Sequence, residues 1–495
     1  MTTERLPDRV GNALFWRATQ FGGIKLVFLA RLLILAKLLT PDSFGLVAIA
    51  VTAVGVLVSI TDFGMLSALV QRKELDKDQY DAAWTVEVSR ALAISTVVMA
   101  TAPWIAHLFA EPRATAIIQA LAFRPFLESL SSIRMAEMNR ALRFRPATIM
   151  ALAEAVANAV ISIVLAPFLG VWALVAGTLS GAAVRTIVSY VLVPHRPRLL
   201  FDQRAVLPLV QFGRWVFMTS LIALVASSVL RLVIARQLGV TELGLYFLGA
   251  QLAFLPASTA SEIVGSVAFP LFARLQTDLR AGAEAFRTIL VGMSLFLYPI
   301  CTLLLVLAPG LVQEVLGAKW DGTVPVIRIL AFGTLLGIFG EAVTPLLNGY
   351  GQPHKVTFVE LAQSLVLIGC VWGFSRAYGL AGAALASLPA VTTAQLVNAL
   401  LLRRLLPNPW EGMVGLWAIA GASTLGALVA WGAQQAVAGM AGLLLASLLA
   451  ILTTYMLIWA ADQALGLGLL DRIQKVFPGL PLRRLPSFVK TESRP

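Results

Sequence analysis

The sequence predicts an all-α polytopic membrane protein with about fourteen membrane-spanning helices. Of its 495 residues, 58% are hydrophobic and only 13% are charged, and the mean hydropathy is +0.83. Soluble domains average about 25% charged residues, so a chain this apolar requires the bilayer as its solvent. Apolar runs of helix-spanning length recur along the whole chain, whereas the alternating pattern of a membrane barrel is absent.

The apolar runs define the predicted spans in order. Each run is long enough, at 1.5 Å per residue, to cross a hydrocarbon core of about 30 Å. The runs cover approximately residues 13–39, 44–70, 82–109, 113–140, 146–168, 170–193, 208–236, 243–272, 283–308, 323–350, 355–378, 380–402, 415–437 and 440–464.

The connections between the runs alternate sharply in charge. One set, which includes both termini, carries 23 Lys and Arg residues, whereas the opposite set carries only Arg113, Lys319 and Arg376. Cationic loops stay on the cytoplasmic side of a membrane. We therefore predict a multi-pass protein of the inner (plasma) membrane with both termini in the cytoplasm. The net charge of +12 is then a topology signal, and no nucleic-acid partner is expected.

Breaks between the runs suggest the domain organisation. The basic, Pro-rich connection Pro194-His195-Arg196-Pro197-Arg198 separates two blocks of six spans. We predict an N-terminal lobe over residues 1–206, a C-terminal lobe over 207–406, two accessory helices over 407–465 and a basic cytoplasmic tail over 466–495. The tail mixes cations with Leu, Ile and Phe, which suits either an anionic lipid surface or a solvated end.

A short internal repeat supports the two-block division. The stretch Leu35–Leu46, LAKLLTPDSFGL, is similar to Ile234–Leu245, IARQLGVTELGL. Each copy ends an apolar run with a cation, turns through an acidic residue and starts the next run at a glycine. Two such helix–turn–helix units in corresponding places indicate a duplicated membrane protein, and duplicated transporters place a substrate path between their halves.

Several kinds of catalytic site are not predicted. The sequence contains no Gly-Lys pair, so it has no phosphate-binding loop of the G-x-x-x-x-G-K-[ST] type. The three histidines are scattered, and Cys301 and Cys370 both fall within apolar runs. The expectation is a protein that is not an enzyme and has no catalytic residue, no cofactor and no metal site.

Cations within the apolar runs are the candidate substrate-binding residues. Ionisable side chains at bilayer depth are costly and tend to face a polar cavity. Lys25 and Arg31 lie in the first run, Arg124 in the fourth and Arg231 in the seventh, close to the repeat equivalent of Arg31. A cavity lined by these cations would bind an anion, and phosphate suits the bidentate preference of Arg. The alternative for the first run is snorkelling of its cations to the interface.

Carboxylates within the runs are candidates for a coupling-ion site. Glu128 lies four residues after Arg124, a spacing that makes the two neighbours on a helix surface. Glu262 and Glu341 stand alone in the eighth and tenth runs, where burial would favour the protonated form. Two structural alternatives stay open: a self-neutralising pair for Glu128, and a hydrogen bond to a facing helix for the other two.

One family shares the motifs of the first two runs. The segments Ala30-Arg31, Leu38–Leu46, Thr61-Asp62-Phe63-Gly64-Met65 and Ala68–Arg72 resemble the Wzx-type polysaccharide flippases of the multidrug/oligosaccharidyl-lipid/polysaccharide (MOP) exporter superfamily. The resemblance extends over essentially the whole chain. It implies a MATE/MOP-like fold, with two six-helix lobes, two extra helices and alternating access.

The resemblance also implies a substrate and partners. The substrate would be a polyprenyl-pyrophosphate-linked oligosaccharide turned to the outer leaflet, in contact with membrane lipid. H⁺ or Na⁺ would be the coupling ion, and a polysaccharide polymerase complex is a candidate partner. The alternatives are a lipid II-type flippase, a cation-coupled drug antiporter of the same superfamily, and a membrane scaffold that transports nothing. The scaffold hypothesis predicts that apolar replacements of the buried charges leave export unchanged.

Overall fold

The computed structural model describes residues 6–61, 77–140, 143–200, 214–408, 410, 414–437, 439–466 and 468. The Asp62–Gly64 motif, the last part of the connection between the two blocks and the basic tail beyond residue 468 lie outside the described residues. The side chains of residues 6–19 and of residue 21 are likewise not described.

The described residues form helices joined by short connections, and none of them lies in a strand. The helices are α1 (Leu6–Leu38), α2 (Pro41–Thr61), α3 (Lys77–Leu108), α4 (Ala114–Leu121), α5 (Phe123–Ser129), α6 (Met135–Arg140), α7 (Phe144–Leu169), α8 (Val171–Leu192), α9 (Arg214–Leu238), α10 (Val240–Arg274), α11 (Leu279–Leu311), α12 (Thr323–Gly349), α13 (Pro353–Leu385), α14 (Ser387–Leu405), α15 (Val414–Ala436) and α16 (Gly439–Leu465). A π-turn (Val312–Leu316) and a 3₁₀ turn (Ala318–Trp320) join α11 to α12.

Eleven helices within the described ranges are long and apolar enough to cross a membrane. Helices satisfy their own backbone hydrogen bonds, which is what the interior of a bilayer demands. The predicted all-α membrane fold is therefore confirmed.

The fourth apolar run is not one helix, contrary to the prediction. It is divided into α4, α5 and α6. α4 ends at Leu121, four residues before Pro125, because a proline ring clashes with the carbonyl group four residues earlier. The second break lies at Ser132, whose backbone N–H donates to Ser189 and whose hydroxyl donates to the carbonyl oxygen of Val193.

The structure has a break between the predicted eleventh and twelfth runs, 355–378 and 380–402. α13 contains a sharp break at Gly379, where φ is +58°. Only glycine adopts this conformation without strain. The last residues of α13 therefore continue in a new direction and lead into α14.

The chain forms two compact units. The first comprises Met1–Leu252, Leu311–Leu330 and Pro353–Thr393, and its core includes Leu35, Ile49, Ile118, Ile234 and Trp320. The second comprises Ala253–Gly310, Ala331–Gln352 and Ala394–Pro495, with Phe272, Phe286, Met293 and Leu297 in its core. The predicted lobes over 1–206 and 207–406, with the accessory helices and the tail, stay a prediction.

Candidate functional site

A column of polar residues on α7 forms the base of the candidate site. Glu154, Asn158 and Ser162 are spaced four residues apart, so they lie on one face of the helix. α8 packs closely against this face through Gly177 and Gly181, a small-x-x-x-small motif typical of membrane helix pairs. A Cβ atom at Gly177 would overlap the hydroxyl oxygen of Ser162, and one at Gly181 would lie 3.1 Å from the carbonyl oxygen of Glu154.

Glu154 connects cations from two other helices. Its Oε2 accepts a hydrogen bond of 2.8 Å from Nη1 of Arg185 on α8. Its Oε1 lies 3.9 Å from Nη2 of Arg124 on α5. Arg124 also donates from Nε to Oε1 of Glu128 at 2.7 Å, which confirms the neighbour relationship predicted from their spacing.

Arg31 of α1 completes this group. α1 packs against α7, and Nη2 of Arg31 lies 3.4 Å from the Ser162 hydroxyl, a long hydrogen bond. The Nε of Arg31 is buried and has no hydrogen-bond partner among the described residues. The positive charge of Arg124 also acts on the Arg31 guanidinium. Arg31 is thus partly buried near a like charge, and one of its donors is unused.

We call Arg31, Arg124, Arg185, Glu128 and Glu154 the arginine–glutamate cluster. With all five groups ionised, it carries one net positive charge. The side chains of Arg124, Glu128 and Arg185 remain 43%, 34% and 36% exposed, so they are not enclosed by the packed helices. Guanidinium groups that are partly exposed and incompletely paired are suited to bind an oxyanion such as phosphate.

Arg231, another of the predicted cations, makes its hydrogen bond outside this cluster. Arg231 on α9 donates from Nη1 to the hydroxyl of Thr52 on α2 at 2.9 Å. Lys25 is half-buried on α1. Arg31 and Arg231 therefore each contact a hydroxyl of another helix, and Arg31 also lies near Arg124 of the cluster.

The carboxylates of the second unit are placed differently from Glu128. Glu341 on α12 accepts a hydrogen bond of 2.5 Å from the Ser261 hydroxyl on α10, so the facing-helix alternative holds for this residue. Glu262, the next residue after Ser261, is exposed. The structure thus brings Glu341 to the same part of α10 as Glu262.

Glu154 was not predicted as a site residue, and neither was its pairing with Arg185. Glu154 and Arg185 occur on different helices, and no short spacing relates them in the sequence. One sequence pattern could have indicated this contact: Gly177-x-x-x-Gly181 follows a helix that carries a column of polar residues. That pattern indicates close packing of α7 and α8 around polar side chains.

Comparisons with known proteins identify related sequences. The model of a family described as polysaccharide biosynthesis protein matches residues 34–325. The lipopolysaccharide biosynthesis protein WzxC of Escherichia coli (strain K12) is 26% identical over 64% of this chain and 65% of its own length. The succinoglycan biosynthesis transport protein ExoT of Rhizobium meliloti (strain 1021) is also 26% identical, over 68% of this chain and 69% of that protein. The chain thus matches slightly less than two thirds of WzxC.

Solved structures show the same fold. The lipid II flippase MurJ in an inward closed conformation superposes with a TM-score of 0.75 over 91% of this chain and 99% of that chain, at 15% identity. A multidrug resistance MATE family transporter of the MOP superfamily, in an inward-facing conformation, gives a TM-score of 0.58 over 78% of this chain, at 16% identity. At these identities the likeness concerns the fold alone. With the long apolar helices, it makes this chain a multi-pass integral membrane protein.

Proposed function

Because the chain belongs to the polysaccharide biosynthesis protein family, we propose that it flips a lipid-linked sugar across the membrane. The substrate would be an oligosaccharide repeat unit on polyprenyl pyrophosphate, and the product would serve export of a surface polysaccharide. The protein would act by alternating access as a carrier and not as an enzyme. The similarity to WzxC and ExoT supports this choice of substrate class.

The arginine–glutamate cluster is the observation that carries the proposal. A pyrophosphate diester brings two negative charges, and the cluster offers three guanidinium groups, of which Arg31 has an unused donor. The anion would compete with Glu128 and Glu154 for Arg124. The lipid tail would stay in the bilayer while the hydrophilic sugar crosses through a hydrated path.

The direction of transport follows from the proposed topology. The cation-rich connections support a cytoplasmic location of both termini in the inner membrane. The substrate would load from the cytoplasmic leaflet and be released at the outer one. The turns after α1 and α9 would then lie on the outer side.

Deletion and complementation test the proposal. In a strain that lacks the protein, we expect the lipid-linked oligosaccharide to accumulate on the cytoplasmic side and surface polysaccharide to be lost. The intact chain should restore export. Arg31→Ala and Arg124→Ala should each lower it roughly tenfold or more, because a charge-assisted hydrogen bond contributes about 1.5–3 kcal/mol. The measurement is the amount of lipid-linked intermediate and of exported glycan at equal protein level in the membrane.

Arg134→Ala is a matched control for Arg124→Ala. Arg134 is 44% exposed and pairs with Glu137 of its own segment, much as Arg124 is 43% exposed and pairs with Glu128. We expect export to survive this control. Unchanged export in both cluster variants would remove the cluster as the binding site. Accumulation of the cell-wall precursor lipid II would favour the lipid II-type flippase, and loss of drug resistance alone would favour an antiporter.

We also propose that return of the empty carrier is coupled to H⁺ or Na⁺ through a carboxylate. Glu128 contacts the arginine that would release the substrate, and Glu341 is held by Ser261 beside Glu262. Glutamine at the coupling position should abolish the dependence of flipping on an imposed ion gradient and leave substrate binding in place. The measurement is flipping of a fluorescent lipid-linked oligosaccharide in vesicles, with and without each gradient. If Glu128→Gln, Glu262→Gln and Glu341→Gln all keep the dependence, these carboxylates are not the coupling site.

A further inference from the structure

The segment between α11 and α12 covers the end of α1. Nζ of Lys319 donates hydrogen bonds to the carbonyl oxygens of Lys37 and Leu39, at 2.8 and 2.7 Å. The last carbonyl groups of a helix have no partner within the helix and form the negative end of its dipole. A lysine from the second half of the sequence therefore caps the first helix of the first half.

Trp320, the next residue, also contacts the end of α1. Its side chain is completely buried, and Nε1 donates to the carbonyl oxygen of Ala36 at 2.8 Å. The indole ring stands edge-on to Phe44 in the first turn of α2, with centroids 5.2 Å apart. An aromatic ring that is buried and has its N–H satisfied makes this contact specific as well as apolar.

The two repeated turns cross each other beside this contact. A Cβ atom added at Gly45 would overlap the carbonyl oxygen of Val240, and one added at Gly244 would overlap that of Pro41. These positions correspond under the repeat, with Gly45 equivalent to Gly244 and Pro41 to Val240. The contact is therefore reciprocal, as in an interface with two-fold symmetry. Only glycine allows the two helix starts to approach so closely.

Other cations at this end also have specific partners. Arg236, at the end of α9, donates to the carbonyl oxygens of Leu108 and His107 at the end of α3, at 2.6 and 3.3 Å. Arg113 donates to both carboxylate oxygens of Asp42 and also to Glu111. The hydrogen bond from Arg113 to Glu111 holds the pKa of the Glu111 carboxyl below its ordinary value. Lys319 and Arg113 are two of the three cations in the loops predicted to lie outside.

We propose that Lys319, Trp320 and the crossing of Gly45 with Gly244 form a latch that keeps the outer side closed. The inference rests on the proposed function and its topology. The contacts are two partly or fully exposed hydrogen bonds from Lys319, which can be exchanged for water at a small net cost, and one buried aromatic side chain with its own hydrogen bond. Such a contact opens and closes without unfolding the helices, as alternating access requires. Weakening it should populate the state that is open to the outside.

Thiol labelling tests the latch. In a chain whose Cys301 and Cys370 are replaced by alanine, Ala36→Cys places a reporter at a fully buried position whose carbonyl oxygen accepts from Trp320. A membrane-impermeant maleimide should label it slowly in intact cells. Adding Lys319→Met should raise the labelling rate roughly tenfold or more, because the ammonium donors are lost. Lys319→Arg keeps a cationic donor and should restore slow labelling.

Arg376→Ala is the matched control. Arg376 is the third cation of the outer loops and stacks on Trp372, at 4.8 Å from the ring centroid. It should leave the labelling rate unchanged. Labelling unaffected by Lys319→Met, or raised equally by Arg376→Ala, would overturn the latch. Faster labelling of the Lys319→Met variant in inverted membrane vesicles, without faster labelling in cells, would also overturn the latch. The assay needs no glycan, so its result is separate from the outcome of the substrate test.

Discussion

The turn between α1 and α2 and the turn between α9 and α10 occupy equivalent places in the repeat and are built by different chemistry. In the first, Thr40 precedes the helix, and its Oγ1 accepts a hydrogen bond of 3.4 Å from the backbone N–H of Ser43. In the second, Gly239 holds the equivalent position with φ of +98°. A side-chain cap serves one copy and backbone freedom the other. Both copies share a glycine at the fifth residue of the next helix, Gly45 or Gly244, where the two turns cross.

The cations before the two turns differ more. Arg31 donates to Ser162 and belongs to the arginine–glutamate cluster, whereas Arg231 donates to Thr52. The two repeated segments therefore share the backbone crossing and differ in the contacts of the preceding arginine. The crossing depends on steric fit between the copies, which constrains both at once. Charged side chains contact different neighbours in each half and are free to specialise.

Filling the crossing should produce the largest effect. Gly244→Ala places a methyl group against the carbonyl oxygen of Pro41, and overpacking of this kind costs about 1–3 kcal/mol. Gly45→Ala should cost a similar amount because the contact is reciprocal. The measurement is the thermal unfolding temperature of the purified protein in detergent.

Gly369→Ala is the control for the crossing. Gly369 lies within α13, and no atom would meet its new methyl group within 4 Å. Alanine there should be neutral or stabilise by up to about 1 kcal/mol, since glycine is a poor helix former. Equal unfolding temperatures for Gly244→Ala and Gly369→Ala would show that the two turns do not cross as described.

Replacing Thr40 or Gly239, the residues at the start of the two turns, should lower stability less than filling the crossing. These variants should also distinguish the side-chain cap of Thr40 from the positive φ of Gly239. Gly239→Ala must adopt a positive φ and should cost about 1–2 kcal/mol. Thr40→Ala loses only the cap and should cost about 0.5–1 kcal/mol. Thr40→Gly should cost only about 0.3 kcal/mol. The unfolding temperatures should fall in this order. A larger loss for Thr40→Ala than for Gly239→Ala would contradict the distinction between the two turns.

The parts of the site that follow from local spacing could be predicted. Arg124 and Glu128 are four residues apart, and their ion pair forms within α5. The break of the fourth run was missed although Pro125 is visible in the sequence, because hydropathy alone does not register a lost backbone hydrogen bond. Glu154 and Arg185 meet only because α7 and α8 pack through Gly177 and Gly181.

The sequence by itself determined that this protein lies in a bilayer, that it is all-helical and where the two repeated turns lie. Hydropathy and glycine or proline placement act over a few residues, so they can be read along the chain. Only the tertiary structure decided which charges share a site and that Lys319 and Trp320 close over the end of α1. These contacts join residues hundreds of positions apart. They depend on the rotation and depth of each helix, which the packing of all its neighbours sets together.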